Sequence, residues 1–130
     1  MADTMTFELV SPAKKLASAE AEAVTIPGME GDLTAMANHA PFLTTLRPGY
    51  VTIRNGSTEE RYFVTGGFAE ISDNTVSVLA EQAVEDGSVD GAWLDDRIAE
   101  AEKALEDAGD DRKQAARQRV DDFQTVRAGL

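Results

Sequence analysis

The chain has 130 residues, no cysteine, a single histidine and a formal net charge of −12. The absent thiols exclude cysteine nucleophiles, zinc–thiolate centres and iron–sulfur clusters. The acidity argues against nucleic acid and anionic lipid as partners, because both are held by clustered Lys and Arg.

A chain of this length buries roughly two-thirds of its unfolded surface, so its fold needs no disulfide or metal staple. The first residues, Met1-Ala2-Asp3-Thr4-Met5, lack the basic and apolar regions of a signal peptide. No stretch approaches the roughly 18 apolar residues of a membrane-spanning helix. The expectation is a protein without direct lipid insertion. At a membrane it would have to be held by other proteins.

Up to about residue 86, short β-type runs alternate with turn residues. The runs are 7–10, 23–26, 33–36, 50–54, 61–65, 68–71 and 75–79. Each alternates well enough to place one face inward. Pro27-Gly28, Pro48-Gly49, Asn55-Gly56, Gly66-Gly67 and Asp73-Asn74 punctuate them. Asn55-Gly56 is a hairpin signal of the type I′ kind, which needs positive φ at both central residues. Many short strands with no helix between them predict an antiparallel β-sandwich or barrel over 1–86.

From residue 87 the periodicity becomes helical. Leu94, Ile98, Ala101, Leu105 and Ala108 are spaced for one helix face. Asp90 fits an N-cap, and Gly109 fits the C′ position that ends the helix. A second run from about Asp110 carries Ala116, Val120, Phe123 and Val126 on its stripe. The short Gly-Asp-Asp link predicts an α-helical hairpin over 87–130. Both stripes are thin and alanine-rich, so the hairpin is expected to have low local stability.

Candidate chemistry is sparse. His39 has no second histidine or cysteine with which to build a typical zinc site. No Gly-x-Ser-x-Gly elbow accompanies it. Gly66-Gly67 lacks the Lys-Ser/Thr of a phosphate loop and the third glycine of a dinucleotide loop. The acid pairs Asp95/Asp96, Asp110/Asp111 and Asp121/Asp122 diverge by about 100° on a helix, so a pair does not chelate. These residues read as a non-enzymatic interaction module with no catalytic residue, no metal and no cofactor.

A longer pattern adds to this reading. Gly28-Met29-Glu30-Gly31-Asp32-Leu33 is followed by Asn38-His39-Ala40-Pro41, Leu43-Thr44 and Pro48-Gly49. Then come Tyr62-Phe63-Val64-Thr65-Gly66-Gly67-Phe68-Ala69-Glu70-Ile71 and Asn74-Thr75-Val76-Ser77-Val78-Leu79-Ala80. In this order over residues 5–85, the segments resemble epsilon subunits of F-type ATP synthases. The resemblance implies a β-sandwich followed by two helices. It also implies a non-catalytic rotor subunit of the central stalk, linking the gamma subunit to the c-ring and coupling proton flow to ATP synthesis. Such a subunit sits peripherally on the cytoplasmic side of a bacterial inner membrane. In many members the hairpin restrains ATP hydrolysis through contacts with the alpha and beta subunits.

By the same resemblance, Glu30, Gly31, Asp32 and His39 form the surface that meets the c-ring. Family members that bind ATP carry Ile/Leu-Asp-x-x-Arg-Ala on the first helix. Here Leu94-Asp95-Asp96-Arg97-Ile98 places Arg97 two residues after Asp95 rather than three. Asp95 and Arg97 are the candidates for a nucleotide-sensing site, the alternative reading. Residues 86–130 hold 12 acidic and 7 basic side chains, a balance of −5 that disfavours docking on an acidic surface.

Overall fold

Alternation decides which side chains turn inward. Along β1 (Met5–Val10), Met5, Phe7 and Leu9 are buried, and the residues between them are half-exposed. The same period of two runs through β6 (Gly49–Asn55), β8 (Gly67–Ser72) and β9 (Thr75–Ala80), whereas β3 (Ala23–Gly28) is buried almost throughout. The remaining strands are β2 (Lys15–Ala21), β4 (Gly31–Met36), β5 (Phe42–Leu46), β7 (Thr58–Val64) and β10 (Ala83–Glu85). This computed structural model describes residues 3–130. It divides into two compact units, the first ending at Asp86 and the second spanning Gly87–Leu130.

In the first unit the strands pair in the order β10-β7-β6-β3-β5-β8-β9-β1-β2, with β4 added to β3. β3 is the corner. Its first half pairs with β6 at Ala23–Thr25, and its last residue, Gly28, pairs with Leu46 of β5. The sheet therefore turns there into two layers around one core. Phe7, Leu9, Val24, Ile26, Val51, Ile71, Val76 and Val78 fill that core. The β-sandwich class expected from the sequence is the one observed.

All ladders but one are antiparallel. β1 lies parallel to β9, from Thr6↔Thr75 to Val10↔Leu79. The two strands are far apart in sequence, so no tight turn forces them antiparallel.

Three strands lie outside the predicted runs. β2 is alanine-rich and mostly exposed, with none of the β-branched residues that mark a strand. β5 follows the Asn38–Pro41 loop and was not separated from it by pattern. β10 has only three residues, held as a ladder by Tyr62–Val64 of β7. The β6–β7 hairpin is also closed one residue later than the Asn-Gly pattern suggests. Asn55 pairs with Thr58, so Gly56 and Ser57 are the central residues. Of these only Gly56 has positive φ, at 63°, which is the type II′ signature.

Gly67 fixes how β8 meets β9. Its φ is 139°, and a Cβ there would lie 2.0 Å from the Leu79 carbonyl oxygen. The first unit ends on a clamp. Arg61 donates to both carboxylate oxygens of Asp86 at 3.1 Å, and its guanidinium lies 4.0 Å over the Tyr50 ring. Burial and then the Asp86 charge push the Tyr50 phenol up, while Arg61 opposes them.

In the second unit, α1 (Gly91–Asp107) and α2 (Lys113–Ala128) form the expected hairpin. Asp90 caps α1, its side chain accepting from the Trp93 amide at 2.8 Å. The α1 stripe is inward: Leu94 and Ala101 are buried, and Ile98, Leu105 and Ala108 are half-buried. Two boundaries differ from expectation. α1 stops on an extended Ala108 (φ −73°, ψ 138°), and Gly109 has no left-handed φ. α2 starts at Lys113, because Asp110–Arg112 are spent on a turn closed by Arg112 N–H to the Gly109 carbonyl.

Replacing Gly67 by alanine combines a backbone overlap with a disfavoured φ. Gly67→Ala is expected to destabilise the first unit by about 3 kcal/mol or more. Thermal unfolding followed by circular dichroism should show a Tm drop on the order of 15 °C. The raised Tyr50 pKa gives a second expectation. The unfolded chain ionises this phenol near pH 10 while the folded one resists, so its contribution is present below that pH and lost above it. Between about pH 9 and pH 11, the wild type should lose more denaturation stability than Tyr50→Phe.

Candidate functional site

The β3–β4 turn carries the first cluster. Gly28 pairs with Gly31, leaving Met29 and Glu30 at the tip, and Asp32 follows opposite Pro27. Gly31 takes φ 128°, which glycine adopts at no steric cost. Glu30, Gly31 and Asp32 are all exposed, and neither carboxylate is engaged elsewhere among the described residues. The turn shares a shallow groove with β5, lined by Met29, Leu33, Phe42, Leu43 and Thr44. Met29, Phe42 and Leu43 are exposed apolar side chains.

His39 sits on the loop after β4, where its amide donates to the Met36 carbonyl at 3.2 Å. That loop leads into β5, whose Phe42 and Leu43 line the groove beside Glu30 and Asp32. The loop is pinned locally. Asn38 takes φ 66° and donates its amide to the Asp73 carbonyl, and His39 Nδ1–H donates to the Ala40 carbonyl at 2.7 Å. Glu30, Gly31 and Asp32 thus lie on the β3–β4 turn, and His39 lies on the loop that joins β4 to β5.

A second cluster had no place in the sequence reading. Val10, Leu79, Phe68 and Thr45 are successive cross-strand partners over β1, β9, β8 and β5. They lie on the outer face of their layer. Phe68 is 56% exposed, Leu79 55% and the nearby Leu43 67%. Ser11 and Pro12 extend this apolar hollow, and Glu81 edges it. The signal was present as adjacent apolar pairs, Phe68-Ala69 and Val78-Leu79. Neighbours in a strand face opposite ways, so one member of each pair must point out.

In the hairpin, Asp95 and Arg97 take different partners. Asp95 accepts from Arg127 Nε at 3.0 Å. Arg97 lies 3.3 Å from Glu100 and 5.0 Å over the Trp93 ring. The structure does not bring Asp95 and Arg97 together. Arg127 rests on the N-terminal turn of α1, where a Cβ on Gly91 would meet its guanidinium at 2.9 Å. Among the described residues, no three His, Asp or Glu side chains are placed to hold a metal ion. None of the described helices is long and apolar enough to cross a membrane.

The beta-sandwich domain described for the ATP synthase delta/epsilon chain matches residues 4–86. An ATP synthase epsilon chain of Cereibacter sphaeroides is 46% identical over 128 residues, covering 98% of this chain and 97% of that one. The chain belongs to the ATP synthase epsilon chain family. A Mesorhizobium japonicum member is 48% identical over 124 residues, covering 95% and 90%. Among solved structures, a chain of the Euglena gracilis mitochondrial ATP synthase superposes with TM-score 0.75 at 22% identity, covering 98% of this chain and 81% of that one. A chain of the Tetrahymena thermophila mitochondrial ATP synthase, solved as central stalk and c-ring, gives 0.62 at 20%, covering 97% and 98%. These two establish the shared fold. The first relatives run through the hairpin as well, so family membership extends over both units.

The Arg127–Asp95 pair is 43% and 61% exposed at its two side chains, which limits its strength. Arg127→Ala should cost the hairpin less than about 1 kcal/mol at low salt and nothing measurable near 1 M salt. Helicity melts at the two salt concentrations check this.

Proposed function

We propose that this chain is a non-catalytic rotor subunit of a proton-driven ATP synthase. In this reading it joins the gamma subunit to the c-ring and couples proton flow to ATP synthesis. The observation that carries it is the exposed apolar row of Phe68 and Leu79, with Leu43 beside it, on the outer sheet face of a family member. An apolar face of this kind fits a stable protein partner, and gamma is the partner assigned to it. The acid-tipped β3–β4 turn, Glu30-Gly31-Asp32, is assigned to basic polar loops of the c-ring. Charge there adds specificity and register more than affinity. His39, on the loop that joins β4 to β5, is assigned to the same contact. The chain then lies peripherally on the cytoplasmic side of a bacterial inner membrane, held by its protein partners. The hairpin is assigned the regulatory contact with the alpha and beta subunits, where it restrains hydrolysis.

The test is reconstitution of the full chain with a gamma-containing catalytic complex that lacks it. Size-exclusion chromatography reads incorporation, and ATPase activity reads the hairpin's restraint. Phe68→Glu with Leu79→Glu should weaken incorporation by about 2–4 kcal/mol, the range of a hot spot. Asp32→Lys should leave gamma binding intact and lower proton-driven synthesis in membranes. Stoichiometric incorporation of the apolar-row variant would overturn the gamma assignment. Undiminished synthesis with Asp32→Lys would overturn the c-ring assignment.

A further inference from the structure

Asn55-Gly56 is the chain's single Asn-Gly step. This dipeptide is chemically labile because glycine offers no side chain to shield its amide nitrogen. At Gly56 the space a Cβ would occupy is open to 4 Å. Breakdown begins when the Gly56 nitrogen loses its proton and attacks the Asn55 side-chain carbonyl carbon. A new N–Cγ bond forms, the Cγ–Nδ2 bond breaks, and the departing nitrogen takes up protons to leave as ammonia. Water then opens the cyclic imide at either carbonyl, giving aspartate or isoaspartate. Water is the only co-reactant.

Both atoms of that reaction are held by residues at the end of β2 and in the link from β2 to β3. The Gly56 amide donates to Glu22 Oε1 at 3.1 Å. Asn55 Nδ2 donates to the Glu20 carbonyl at 3.2 Å. Glu22 is itself anchored, its own amide donating to the Arg54 carbonyl at 2.8 Å. The proton that must leave is therefore bound to a carboxylate. Removing it would set an amide anion against that charge, and the leaving group is tethered as well.

We propose that Asn55 is a latent deamidation site of this chain and that Glu22 is the residue that guards it. The guard matters because the product does not fit. A carboxylate at position 55 loses the donor to the Glu20 carbonyl and faces a rim that already holds Glu20 and Glu60. Isoaspartate also adds a methylene to the main chain where Asn55 pairs with Thr58. Either product loosens the β6–β7 tip and adds to a charge of −12.

The experiment incubates the full chain at mildly alkaline pH and follows amide-to-acid conversion at Asn55 by peptide mass mapping. Wild type, Glu22→Ala and Glu22→Gln are compared, with denatured wild type as the reference. Glu22→Ala is expected to speed conversion by about fivefold, the equivalent of one typical hydrogen bond. Glu22→Gln keeps an acceptor oxygen without the charge and should fall between wild type and Glu22→Ala, which keeps the test readable if alanine loosens the fold. Asn38 and Asn74 report general loosening and should not change. Equal rates in wild type and Glu22→Ala, or in folded and denatured wild type, would overturn the proposal. So would a Glu22→Gln rate matching that of the denatured chain.

Discussion

The close approach of β8 to β9 at Gly67 governs much of the first unit. With no room for a Cβ against the Leu79 carbonyl, only glycine sits there, and the Gly67↔Ala80 register follows. That register turns Ala69, Ile71, Val76 and Val78 into the core and Phe68 and Leu79 outward. A slip of one residue would exchange the two faces entirely. The glycine thus sets both the core packing and the outward apolar pair.

The two clusters on the first unit suit different kinds of contact. The apolar row gains by leaving water, at about 25 cal/mol per Å² of surface removed. The acidic turn carries Glu30 and Asp32 on a tip that buries neither. Its contribution falls with salt and serves orientation more than strength. The two chemistries sit on separate elements of one sandwich.

The hairpin is built more loosely. Its buried side chains are few, chiefly Leu94, Ala101, Val120 and Phe123. The α1 N-cap is well made, while at α2 the N-cap position is Arg112, with no side-chain cap. The Arg127–Asp95 pair that joins the helix ends is exposed and worth little in energy. The same pair engages Asp95. Local stability of this order is what an element that changes contacts needs, and local charge pairing is where it would be altered.

By itself the sequence determined what depends on local periodicity and turn chemistry. The alternation of β1, β6, β8 and β9, the Asp90 cap and the α1 stripe were all readable, because each is set by neighbours within a few residues. The family pattern was readable for a related reason, since its glycines and turn residues sit at fixed spacings. Tertiary structure decided the rest. β2 is a strand only because β1 lies beside it, and β10 only because β7 does. The parallel β1–β9 ladder joins distant segments that no local signal connects. The apolar row exists only across four paired strands. Contacts between residues far apart in sequence create these features, and no window along the chain contains them.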